Sequence, residues 1–255
     1  MGEETTWFDL LPGVRNLELF AQHYLKRETA LATFPTAFSI THVLSVGMVL
    51  LFCLIGALAF SSAVSKGGEA AIVPPRGWNL RNLFEMFTDA VLGVAEGVMG
   101  EKNARRYLPV IGTFAFYIFF SNVLALFPGF APPTATLKTN VALALTVFVL
   151  THVYGVREHG LAYFKHFLGP SIPLIPLMLP IEIISHVARP ISLAVRLMGN
   201  MMADHKVVMS FFALVPILVP LPFMLLGLLV CLIQALVFCS LAMVYIGMAI
   251  EHEEH

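Results

Sequence analysis

From Ser39 to Val64 the chain reads SITHVLSVGMVLLFCLIGALAFSSAV, an apolar run without a single Asp, Glu, Lys or Arg. About 20 apolar residues suffice to carry a helix across a bilayer, so 39–64 is predicted to be a membrane span. Two more apolar runs follow, from Leu108 to about Phe127 and from Asn140 to about Val156. Between them, PGFAPPTATLKT carries prolines and a glycine that break any helix. A helical hairpin over 108–156 is expected. The chain is apolar again from Ile172 to Val219, about twice one span, turns at Pro216, Pro220 and Pro222, and continues from Leu221 to Ile250. Two helices of this length, over 172–250, have to tilt strongly, lie across the membrane or break. The pattern predicts an all-α membrane protein of about five membrane-embedded helices, the last two long, strongly tilted or near-horizontal, and packed as a hairpin.

Between the first two spans the period changes. Leu80, Leu83, Phe84, Phe87, Val91, Val94, Ala95 and Val98 recur at helical spacing, while Arg81, Asn82, Glu85, Asp89 and Glu96 take the other side. An amphipathic helix over 78–105, lying in the interface, is predicted. Lys66, Arg76, Arg81, Lys102, Arg105 and Arg106 crowd this loop, whereas the loop inside the hairpin holds only Lys138. Positive charge stays on the cytoplasmic side, so the first loop and the C-terminus are expected inside and the N-terminus outside. Residues 1–38 carry scattered charges with no basic start followed by an apolar core, so no cleavable signal peptide is expected. Residues 251–255, EHEEH, form a charged tail.

Composition agrees with a single membrane domain. Of 255 residues, 58% are hydrophobic and 12% charged, with a mean hydropathy of +0.83; a solvated globular surface needs about twice that charge. A net charge of −1 gives no basic face for nucleic acid. Cys53, Cys231 and Cys239 lie inside apolar runs at no disulfide or metal spacing and are assigned to packing.

One apolar helix has a polar stripe. Advancing about 100° per residue, Glu182, Ser185, His186, Arg189, Ser192, Arg196, Asn200 and Asp204 fall within an arc of roughly 120°. Such a face needs water or protein beside it. Pro190 removes one backbone hydrogen bond and is expected to bend the helix. Arg196 cannot shed its proton, and holding it there costs about 2.5 to 3.5 kcal/mol on the insertion scale. Glu182 is about 21 Å of helix rise away, so a pair within this chain is disfavoured. A carboxylate on another chain is the expected partner, and the cation would force that acid to release its proton. In the last helix Gln234 shares an azimuth with Gly227, Cys231 and Tyr245, and its carbonyl is expected to accept from the guanidinium.

The run ISLAVRLMGNMMADH, residues 191–205, and the ending LIQALVFCSLAMVYIGMAIEHEEH, residues 232–255, resemble subunit a of the bacterial F-type ATP synthase. SNVLALFPG (121–129), Asn140 and LPIEIISHVARPISL (179–193) resemble it more loosely. The resemblance implies a non-catalytic stator subunit in the bacterial inner membrane, with two half-channels opening to opposite sides. Its partners would be the c-ring, the peripheral-stalk b subunits and the lipid bilayer; no cofactor is implied, and a proton is expected ahead of sodium. Arg196 matches the essential arginine, Asn200 the asparagine one turn on, Gln234 the glutamine facing the arginine, and Glu182 an acidic position on the cytoplasmic approach. His186, Ser192, Tyr245 and Asn140 complete the expected ion path.

This sequence departs from the family at one pair of positions. Nine residues after the arginine and seven before the glutamine the family places an acid and a histidine, in either order; here they are His205 and Gly227. Asp204 and Glu182 are the candidates to replace the acid, although Asp204 lies about 100° round the helix from His205. His205 reads either as a relay or as a hydrogen-bonded interior histidine. A self-contained secondary transporter or channel is the main rival, without the matched second half such proteins often carry. A zinc enzyme is weaker, since His252-Glu-Glu-His255 lacks the H-E-x-x-H spacing. A scaffold explains the spans but not the stripe.

Overall fold

A computed structural model describes residues 6–11, 13–14, 16–17, 20, 40–67, 79–127, 129–160, 163, 175–214 and 220–250. Six α-helices account for nearly all of them: α1 (Ile40–Gly67), α2 (Leu80–Met99), α3 (Glu101–Val123), α4 (Leu137–His159), α5 (Ile175–Leu214) and α6 (Pro220–Ile250), with no strand among the described residues. All but α2 are long and apolar enough to cross a membrane. The tail 251–255, most of 1–38 and the turn at Pro216 lie outside the described residues.

The break between amphipathic helix and second span falls at Gly100, not at 105–108. Gly100 donates its N–H to the Glu96 carbonyl and Ala104 donates to Gly100, so Glu101 opens the span and Pro109 sits inside it. α2 then doubles back along α3: Phe84 stacks on Phe116 at 4.8 Å, Phe87 meets Phe116 and Phe119 at 4.6 and 5.1 Å, and Glu96 reaches Arg105 at 3.8 Å. The apolar stripe of α2, with Phe84, Val91, Ala95 and Met99 buried, supplies this contact. Gly56 of α1 admits the Phe84 ring, which any side chain there would overlap. At the far end of the α3–α4 hairpin, Arg106 holds Glu158 through two contacts of 3.2 Å.

The two long helices run antiparallel. Arg189–Tyr245, Asn200–Gln234, Asp204–Gly227 and Phe211–Phe223 meet in order, descending one helix while ascending the other. α5 continues through Pro180 and Pro190 for 40 residues. Its buried face, Leu193, Ala194, Leu197 and Met201, joins Ala235, Phe238, Ala242 and Ile246 of α6 in the core. Ile184, Val187, Ile191, Val195 and Met202 are left exposed, as suits lipid or a partner surface.

Candidate functional site

The polar stripe of α5 lies along the border between its buried and exposed faces. Ser192, Arg196 and Asn200 are exposed, whereas Glu182, Ser185, His186, Arg189 and Asp204 are half-buried against neighbouring helices. The stripe therefore divides into three parts.

At its centre, Arg196 has neither a hydrogen bond nor an ion pair among the described residues. Glu182, the only acid of the lower stripe, contacts His186 instead, Oε1 to Nδ1 at 3.2 Å. The glutamine expected to face the guanidinium is engaged elsewhere, because Asn200 donates its Nδ2 hydrogen to Gln234 Oε1 at 2.7 Å. Gln234 is buried, and in α6 this amide is one of few polar groups; the exposed Asn200 reaches in to meet it. Ser192 sits one turn before Arg196 on the open side.

At the upper end, Asp204 faces Gly227 of α6 and His205 faces the Ala125 carbonyl. Placed on Gly227, a Cβ would lie 2.9 Å from Asp204 Oδ2 and 2.8 Å from Leu126 Cδ2. The carboxyl thus occupies space that only a glycine leaves free. Its Oδ2 is buried without a hydrogen-bond partner. His205 is buried on another side of the helix, its Nδ1 3.3 Å from the Ala125 carbonyl. Ala125 and Leu126 belong to a short turn after Asn122, which brings in a polar cluster. Thr134 donates to Asn122 Oδ1 at 2.6 Å and Asn140 Nδ2 donates to the Thr134 carbonyl at 2.7 Å. Ser121, Asn122, Thr134 and Asn140 are all fully buried; Ser121 meets the Tyr117 hydroxyl, while Asn122 Nδ2 and Asn140 Oδ1 have no hydrogen-bond partner among the described residues. Buried polar groups are rarely left so unless water reaches them. Only Asn140 of these four was expected from the sequence; Ser121 and Asn122 stand in the SNVLALFPG motif, which was signal enough to include them.

At the lower end, a cleft between α4, α5 and α6 is lined by Thr151, His152, His186, Arg189, Pro190 and Tyr245. Arg189 lies over the Tyr245 ring at 5.3 Å, so Tyr245 serves this cleft and not Arg196. The His152 and His186 rings are 5.5 Å apart. Tyr163 approaches His152 at 5.8 Å; burial pushes its hydroxyl above the ordinary tyrosine pKa, so it stays protonated. His152 had no periodic signal, since a lone histidine in an apolar span is silent until α5 is packed beside it.

Comparison with known proteins adds to this geometry. The family described as ATP synthase A chain matches residues 30–247. "ATP synthase subunit a 1" of Syntrophotalea carbinolica is 59% identical over 172 residues, covering 68% of this chain and 73% of that protein. "ATP synthase subunit a" of Geobacter sulfurreducens is 49% identical over 172 residues, 68% and 75% of the two chains. Its counterpart in Bdellovibrio bacteriovorus is 43% identical over 213 residues, 83% of this chain and 92% of that one.

Proposed function

Because the chain belongs to the ATP synthase subunit a family, we propose that it is the stator subunit that brings ions to and from the carboxylates of a c-ring through two half-paths parted by Arg196. The observation that carries this reading is the unengaged guanidinium on the open face of α5, with the two stripe acids occupied elsewhere, Glu182 beside His186 and Asp204 against Gly227. A cation so placed lowers the pKa of any carboxyl that approaches it and drives off its proton. It also repels an ion attempting to cross between the half-paths directly.

The upper half-path runs through the Ser121, Asn122, Thr134 and Asn140 cluster to Asp204, whose carboxyl takes the part of the family's missing acid. His205, held by the Ala125 carbonyl, orients the helix there. Asn200 and Gln234 lock α5 to α6 one turn above Arg196. The lower half-path leaves past Arg189 to His186 and Glu182. A proton travels the upper path, neutralises a ring carboxylate so that it enters lipid, and after nearly one revolution is released by Arg196 into the lower path. We place the chain in a bacterial inner membrane, first loop and C-terminus cytoplasmic, with the b subunits as further partners.

Cross-linking in the intact complex tests the face. Ser192 is exposed one turn from Arg196, whereas Leu197 is fully buried within the chain. Ser192→Cys is expected to form a disulfide with a cysteine beside the ring carboxylate, since the bond needs Cβ atoms within about 4.5 Å. Leu197→Cys is expected to form none. The reverse pattern, or no cross-link from either, contradicts the orientation.

A further inference from the structure

We infer that His152 of α4 and His186 of α5 act together as a proton relay between the base of Arg196's seam and Glu182, making the lower half-path a hopping route for protons that sodium cannot use. The inference rests on the two-path reading above and concerns a residue, His152, that no motif singled out.

The cleft brings together the right chemistry for a proton and the wrong chemistry for a metal cation. From α5 it receives His186 and Arg189, from α4 His152 and Thr151, and from α6 Tyr245; Glu182 lies beside His186 and Tyr163 beside His152. An imidazole accepts a proton on one ring nitrogen and gives one from the other, which no other side chain does near neutral pH. Ring centroids 5.5 Å apart in an edge-on arrangement put the two imidazoles within one water of each other. His186 Nδ1 lies 3.0 Å from the Glu182 carbonyl and 3.2 Å from its carboxylate, so with one water between the rings the route runs from His152 through His186 to Glu182.

Sodium is a hard cation that asks for an oxygen cage. Here the lining side chains offer two oxygens, the Thr151 hydroxyl, which donates to the Val147 carbonyl at 2.9 Å, and the Tyr245 phenol, short of such a cage. Arg189 adds a fixed positive charge over Tyr245, and no carboxylate is among the described lining groups. A transferred proton meets the same Arg189 charge but needs no oxygen cage, because it moves as a rearrangement of bonds, with one N–H formed as another breaks.

The complete ATP synthase complex, reconstituted in liposomes, tests the relay by ATP-driven acidification. His152→Ala is expected to slow pumping by at least about tenfold, the low side of general acid–base effects, and added imidazole is expected to restore part of the rate. His152→Gln, which keeps hydrogen bonding without a titrating ring, is expected to remain slow. Full pumping by His152→Gln overturns the relay and leaves His152 a packing residue. In the unsubstituted complex, sodium at fixed pH is expected to leave the rate unchanged while D2O lowers it; acceleration by sodium overturns the inference without any variant. Arg196→Ala run alongside separates the two readings, since loss of pumping there with a neutral His152→Gln preserves the half-paths and removes only the relay.

Discussion

Replacing Arg196 with alanine is expected to abolish ATP synthesis by the complex and, once the catalytic head is stripped from the membrane, to raise passive ion leak. Both effects follow from one charge. An ion passing within about 5 Å of the guanidinium, at an effective dielectric of about 20, meets roughly 3 kcal/mol of repulsion, about a hundredfold in rate. Without the guanidinium the two half-paths join and the gradient discharges through them. The same substitution removes the group that forces a ring carboxyl to deprotonate, so torque is lost as the leak opens. Arg196→Lys keeps a charge but not the planar fork, and a compact ammonium is more readily deprotonated when dehydrated; synthesis is expected to stay well below that of the unsubstituted enzyme. The measurements are ATP synthesis in inverted vesicles and dye-reported acidification. Retained synthesis in Arg196→Ala refutes the assignment.

The second large effect is expected at Asp204. Asp204→Asn keeps the shape of the side chain and deletes the acid, and synthesis is expected to fall by about 10² or more, as when a proton-transfer group is removed. Gly227→Ala should reach a similar loss by another route, because the new methyl would stand 2.9 Å from Asp204 Oδ2 and 2.8 Å from Leu126 Cδ2. The carboxyl has to move for it. An acid placed at 227 while the one at 204 is removed, Asp204→Gly with Gly227→Glu, is expected to recover much of the activity that either change destroys alone. Loss in the single variants without recovery in the double variant would mean that the position of the acid, not its presence near Gly227, is what matters; normal synthesis by Asp204→Asn would exclude Asp204 from the path.

Much of the architecture is written in apolar run length. Each of the five spans declares itself because about 20 consecutive apolar residues have few alternatives. The junction at Gly100 was hidden because Lys102, Asn103, Arg105 and Arg106 make the first turns of α3 look like loop, although the backbone is already helical. The stripe of α5 was legible as an arc, since azimuth depends only on position within one helix. Its contacts were not. Whether Gln234 meets Arg196 or Asn200, whether Tyr245 meets Arg196 or Arg189, and whether Gly227 makes room for Asp204 all depend on the register of α6 against α5. That register is set by packing of Leu197, Met201, Phe238 and Ala242 in the shared core. His152 and the Ser121–Asn122 pair depend likewise on which helices become neighbours.

The glycine at 227 shows how a departure from a family pattern can be read. Taken alone it looks like a lost group. Beside α5 it is the space that the neighbouring aspartate fills, one residue along from the position now held by His205. An acid and a histidine are still present at the upper end of the stripe, now side by side on α5.

The most direct test is a density map of the assembled complex at side-chain detail. The account predicts the Arg196 guanidinium facing the c-ring, within a few ångströms of a ring carboxylate, with no acid of its own chain bonded to it. A guanidinium paired with Glu182 or Asp204, or turned away from the ring into lipid headgroups, would contradict it.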